Sequence, residues 1–71
     1  AKPVEIPTTY GNFHRLIGVE IPKERIRQIL ESLDIQLQDQ TDLGFTAVVP
    51  TYRSEVTREA DLVEEVLRIY G

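Results

Sequence analysis

Apolar residues recur along this chain with two different periods, and each change of period marks a boundary between elements. Near the start Val4 and Ile6 alternate with Pro3, Glu5 and Pro7. Proline cannot donate to a ladder, so this pattern predicts a short edge strand or the end of a linker. Tyr10, Phe13, Leu16 and Ile17 then fall at i, i+3, i+6 and i+7, a helical stripe with Thr9 as its cap and Gly18 as its stop. Gly11 and Asn12 are poor helix formers, and a strand across Leu16–Ile21 is the alternative there. A second helix is clearer. Pro22 suits a first helical position, and Ile26, Ile29, Leu30 and Leu33 follow at i, i+3, i+4 and i+7. Lys23, Glu24, Arg27, Gln28 and Glu31 face outward on that helix.

After Asp34 the period drops to two. Ile35 to Gln38 alternate as a half-buried strand does, Asp39 to Leu43 is polar turn chemistry, and Gly44 closes the turn. Phe45 to Val49 form a second strand halted by Pro50, so the pair predicts a hairpin with a long loop. Thr57 is the expected N-cap of a final helix running to about Tyr70, with Gly71 as its stop. At 100° per residue, Leu62, Val63, Val66, Leu67, Ile69 and Tyr70 share one wide arc. Asp61, Glu64 and Glu65 fall opposite, with Arg68 among them. Three helices and a small antiparallel sheet define an α+β class, and residues 1–71 form a single domain.

Composition narrows the function. The chain has 41% hydrophobic and 28% charged residues, which fits a folded domain and not a disordered one. No apolar run has the length to span a bilayer, and no secretory leader pattern opens the chain. The absence of cysteine removes disulfides, thiolate zinc sites and thiol catalysis, and favours a cytoplasmic setting. One histidine leaves no credible nucleophile–base pair. A net charge of −4 argues against a free-standing reader of DNA. These counts point to a structural or docking module.

The acidic helix face is the one constellation with chemical interest. Asp61 and Glu65 are i,i+4 like charges, Glu64 is three from Asp61, and Glu55 lies just upstream, able to fold back on the first turn. Clustered carboxylates suit a hard cation such as Mg²⁺. On spacing alone the favoured reading is a solvated face with an ordinary Glu64–Arg68 pair. His14 reads as a surface or half-buried side chain. Tyr52 and Arg53 are an aromatic–basic pair read as structural before base-stacking. Tyr10 and Tyr70 read as core, and the basic cluster of Lys23, Arg25 and Arg27 is diluted by Glu20, Glu24 and Glu31.

The stretches LIGVEI, VVPTYRSEV and READLVEEVLRIYG carry a family resemblance. From Arg15 to Gly71 the chain resembles the B5 domain of the bacterial-type phenylalanyl-tRNA synthetase beta subunit. That family shows a Leu-Gly-Val start, then Pro-x-x-Arg-x-Asp, then Glu-x-Asp-Leu-x-Glu-Glu-x-x-Arg-x-Tyr-Gly. The resemblance implies a winged-helix-like domain within a longer, multi-domain beta chain. It implies an enzyme of two alpha and two beta subunits that attaches phenylalanine to tRNA using ATP, with catalysis in the alpha subunit. It also implies a Mg²⁺ site shared with the alpha subunit, to which Glu55, Asp61, Glu64 and Glu65 contribute. The family usually has Asp where this chain has Glu55. A half-site of this kind is expected to bind Mg²⁺ weakly by itself, at about 10⁻³ M or looser. The expected partners are the alpha subunit, neighbouring beta-chain domains and, in the whole enzyme, tRNA. A nucleic-acid-binding module is the alternative.

Overall fold

In the computed structural model, which describes residues 2–18 and 20–70, the chain runs β1 (Val4–Thr9), α1 (Tyr10–Ile17), α2 (Lys23–Ser32), β2 (Gln36–Gln38), β3 (Gly44–Val49) and α3 (Glu59–Tyr70). The strands form one antiparallel sheet in the order β1-β3-β2, with Ile6 and Leu37 both registered against Ala47. The expected α+β class, with three helices and a short sheet, is what the chain adopts. The helix pair followed by the β2–β3 hairpin gives it the winged-helix-like layout. β1 is an edge strand, which accommodates Pro7 within it.

Ile6, Phe45, Ala47 and Val49 line one face of the sheet, and the helices close over it with Phe13, Ile26, Ile29, Leu30, Leu62 and Val66. Tyr10 belongs to this core, its ring edge-on to Phe45 with centroids 5.5 Å apart. Thr9 caps α1 as expected, its hydroxyl accepting the Asn12 N–H at 3.2 Å. Gly18 ends α1 in the left-handed region at φ 82° and donates its N–H to the His14 carbonyl. The helix takes Leu16 and Ile17, so the alternative strand there is not formed; Val19, within that stretch, lies outside the described residues. Gly44 is required for strand pairing. A Cβ there would sit 2.1 Å from the Thr8 carbonyl oxygen.

Four local expectations are corrected. Leu16 is 55% exposed, because α1 carries it past the edge of the core that Tyr10 and Phe13 fill. Pro22 is the cap of α2 and not its first residue; its carbonyl accepts the N–H groups of Arg25 and Ile26. Thr57 does not cap α3. The helix starts at Glu59, with the Arg58 carbonyl accepting from Asp61 and Leu62. Finally, Leu67, Ile69 and Tyr70 are 41%, 44% and 42% exposed, so Tyr70 is not core. The last turn of α3 extends beyond the surface that buries Leu62, Val63 and Val66. The expected stop, Gly71, lies outside the described residues.

Candidate functional site

The entry to α3 is organised by Asp61. Its Oδ2 accepts the backbone N–H groups of Thr57 and Arg58, each at 3.0 Å, and the Thr57 hydroxyl at 3.3 Å. Here an acid three residues inside the helix reaches back to the cap residue and satisfies donors that helix geometry leaves unpaired. The Thr57 N–H is the main influence holding the Asp61 carboxyl below the usual carboxylate range. The Arg58 N–H, the Thr57 hydroxyl and the Arg58 charge add to it, against partial desolvation. Oδ1 accepts none of these three bonds.

One turn further on, Glu64 and Glu65 part company. Glu64 is exposed, whereas Glu65 is buried at 6% exposure among the apolar residues of the same helix. The expected shared face of Asp61, Glu64 and Glu65 is therefore split. Glu65 stands about 60° from Leu62 on the helical wheel and is buried alongside it, not opposite the apolar arc as expected. Arg68 pairs with Glu65 at i,i+3 and not with Glu64 at i,i+4. The contact joins the Arg68 guanidinium to Oε2 of Glu65 and supplies the buried carboxylate with its counter-charge. Glu55 is exposed in the turn before α3 and stands outside the Asp61 capping network. Among the described residues, no three acidic or histidine side chains gather into a group able to hold a metal ion.

The other candidates find structural roles. His14 is half-buried, with Nε2 3.2 Å from the Ile21 carbonyl. The Tyr52 hydroxyl donates to Asp34, which raises the Tyr52 pKa, and the Arg53 Nε donates to the Leu33 carbonyl at 2.7 Å. Both tie the strand-to-helix turn to the end of α2. Lys23 donates to the Asp42 carbonyl and lies over the Tyr10 ring, and Arg27 donates to the Tyr10 hydroxyl at 3.0 Å. Two of the three basic residues on α2 are thus engaged within the domain. Sequence reasoning missed Glu59, whose carboxylate accepts the Thr9 N–H and the Asn12 side-chain amide. Nothing local in the sequence marks that contact, because its partners are 50 and 47 residues away.

Against known proteins, residues 6–71 match the model of the tRNA synthetase B5 domain. The chain is 46% identical over 66 residues to the phenylalanine–tRNA ligase beta subunit of Bacteroides fragilis, covering 93% of this chain and 8% of that protein. It is 41% identical over 70 residues to the Porphyromonas gingivalis beta subunit, covering 99% of this chain and 8% of the relative. For the Helicobacter hepaticus beta subunit the identity is 42% over 69 residues, covering 96% and 9%. The chain thus spans less than a tenth of the length of these relatives. No helix among the described residues is long and apolar enough to cross a membrane.

Proposed function

The chain belongs to the tRNA synthetase B5 domain family, and on that premise we propose that it is a non-catalytic interface module of a phenylalanine–tRNA ligase beta subunit. The observation that carries this reading is the match over nearly the whole chain to beta subunits of that ligase. In the assembled enzyme the alpha subunit performs ATP-dependent attachment of phenylalanine to tRNA. This domain organises the surface between the alpha subunit and neighbouring beta-chain domains. The working compartment is the cytoplasm.

The acidic end of α3 is the part of that surface with chemistry of its own. Mg²⁺ is a fitting ion, because it takes carboxylate oxygens while keeping several waters and needs few protein ligands from any one chain. Support comes from Glu64, whose carboxylate is exposed, and from Glu65, which follows Asp61 by one helical turn. Asp61 would contribute Oδ1, since Oδ2 is committed to the helix start, and Glu55 would approach from the preceding turn. The alpha subunit would complete the ligand set. Bound there, the ion would neutralise facing carboxylates and so hold the two chains together.

Phenylalanine charging of tRNA by the full beta chain with its alpha subunit tests this, comparing wild type with Glu64→Gln. Charging by the wild type that falls in the variant and recovers with added Mg²⁺ is the expected result. No charging by the wild type would overturn the ligase assignment. Equal charging would leave the ligase and return Glu64 to a solvated helix face. The nucleic-acid-binding alternative has less behind it, since Lys23 and Arg27 are engaged by Asp42 and Tyr10.

A further inference from the structure

The two edges of the sheet are finished differently. The Tyr10 N–H bonds the Leu43 carbonyl at 3.0 Å, and this pair continues the β1–β3 register by one residue. Bonded and unbonded pairs alternate along an antiparallel ladder. Thr8, Ile6 and Val4 therefore bond β3, while Thr9, Pro7 and Glu5 turn their main-chain groups outward. Two of those three outward donors are closed off. Pro7 has no N–H, and the Thr9 N–H is held by Glu59.

The same alternation crosses Ala47 to reach β2. The main-chain groups of Ala47 are committed to Ile6, so its pair with Leu37 is an unbonded one. Gln36 and Gln38 bond Val48 and Thr46, and Leu37 turns its N–H and C=O to the free edge. The Leu37 carbonyl accepts an exposed bond of 3.3 Å from the Gln40 side chain. This edge opens on a groove of about 560 Å³ lined by Glu31 and Asp34 from the end of α2 and by residues 35–38. Both acids are exposed, and among the described residues neither forms an ion pair. Arg27, one turn before Glu31, donates to Tyr10, and Arg53 donates to the Leu33 carbonyl.

We propose that this groove receives an extended segment of the beta chain from outside these 71 residues, added to β2 as a fourth strand with a lysine or arginine between Glu31 and Asp34. This rests on the reading of the chain as one module of a beta chain, whose relatives it matches over 8–9% of their length. Main-chain bonds to Leu37 supply the attachment, and the two acids select a basic side chain. A second copy of this chain does not fit. Pairing β2 with β2 sets the Glu31 and Asp34 rims of two chains, each of net charge −4, against one another. An edge of three residues also holds a free peptide weakly. A tethered segment is presented at about millimolar local concentration, which suits so short an edge.

The test is amide hydrogen exchange on the full beta chain, without and with its alpha subunit, read residue by residue by mass spectrometry with electron-transfer fragmentation. Gln36, whose N–H bonds inside the sheet, is the internal control. In the beta chain alone the Leu37 amide should exchange slowly. Glu31→Lys should speed it by about tenfold or more and leave Gln36 unchanged. Glu31 is exposed near the end of α2, where a lysine suits the helix dipole, so the variant keeps the fold. Should both amides speed up together, Glu31→Gln decides by the same comparison. Fast Leu37 exchange in the wild-type beta chain, or slow exchange that the Glu31 variants leave unchanged, would overturn the proposal. Slow exchange that appears only with the alpha subunit would overturn the beta-chain segment and assign the groove to that subunit. Charging of tRNA by the same wild-type preparation separates the two readings. Charging together with fast Leu37 exchange sinks the added strand alone, and no charging sinks the ligase reading and this proposal with it.

Discussion

Glu59 and Asn12 are 47 residues apart in sequence, and both carboxylate oxygens of Glu59 accept from the Asn12 side-chain amide, at 3.0 and 3.3 Å. The same carboxylate takes the Thr9 N–H at 3.1 Å. One side chain at the start of α3 therefore binds the junction between β1 and α1. Thr9 is occupied twice over, since its hydroxyl caps α1 while its N–H faces Glu59. Glu59 also sits in the first turn of its own helix, where a negative charge is favoured by the helix dipole. This clamp fixes the first turn of α3, and Asp61 and Glu64 with it, relative to the sheet.

Glu59→Ala is expected to destabilise the domain by about 1–2 kcal/mol, because the charged acceptor is lost and the Thr9 and Asn12 donors are left to water. Urea denaturation of wild type, Glu59→Ala, Asn12→Ala and the double variant gives the coupling. A coupling of about 0.5–1.5 kcal/mol is expected for two side chains in direct contact. Additive effects would show that the contact contributes nothing of its own.

Glycines at two positions should respond in opposite ways. Gly44 faces the Thr8 carbonyl across the β1–β3 pair, and the clash at 2.1 Å involves backbone that cannot rotate away. Gly44→Ala is expected to cost about 1–3 kcal/mol or to prevent folding. Gly11 lies in α1 with nothing within 4 Å of an added Cβ. Gly11→Ala should therefore stabilise by up to about 1 kcal/mol, the difference in helix propensity. Thermal melting of the two variants should separate them in opposite directions from wild type.

Periodicity made five of the six elements legible, with β1 left open between an edge strand and a linker end and a strand weighed against the end of α1, because it depends only on which neighbours share a face. Ile26, Ile29 and Leu30 are buried where the helical period puts them, and Phe45, Ala47 and Val49 are buried where the strand period does. What a helical wheel omits is how far the core reaches along the axis. Tyr70 points towards the same side as Val63 and Val66, yet it lies beyond the surface they contact. Glu65 is expected opposite the apolar arc with Asp61 and Glu64, but at 100° per residue it stands only about 60° from Leu62, close enough to be buried with it. Helix starts were misread for a related reason. Thr57 has the chemistry of a cap, but Asp61 supplies the acceptor from inside the helix and moves the start to Glu59. Of the candidate site, the residue types were legible and their division into buried and exposed groups was not.

The exposed last turn makes a prediction about α3. Leu62 is fully buried, so Leu62→Ala removes transferred apolar surface and leaves a cavity, at a cost of about 2–5 kcal/mol. Leu67 is 41% exposed, and Leu67→Ala should cost less than about 1 kcal/mol in the isolated chain. Guanidinium denaturation of both variants checks the contrast. Comparable losses would place the end of the helix inside the core and refute the exposed last turn.

The Tyr52–Asp34 bond gives the domain a defined response at alkaline pH. Donation to the Asp34 carboxylate is the largest cause of the raised Tyr52 pKa, with desolvation and the Asp34 charge adding to it, and Arg53 opposing. A phenol whose folded pKa lies above its unfolded value of 10.0 contributes stability that is fully present below that value. The contribution disappears as pH rises through the folded pKa, because ionised Tyr52 can no longer donate and repels Asp34. Tyr52→Phe should therefore be less stable than wild type by a constant margin up to about pH 9, and the margin should close above about pH 10. Tyrosinate absorbance offers an independent check. Wild type should contain one tyrosine that ionises later than its ordinary value and is missing from Tyr52→Phe. The absence of any stability margin between wild type and Tyr52→Phe below about pH 9 would show that Tyr52 acts through packing of its ring, which phenylalanine keeps, and not through its hydroxyl.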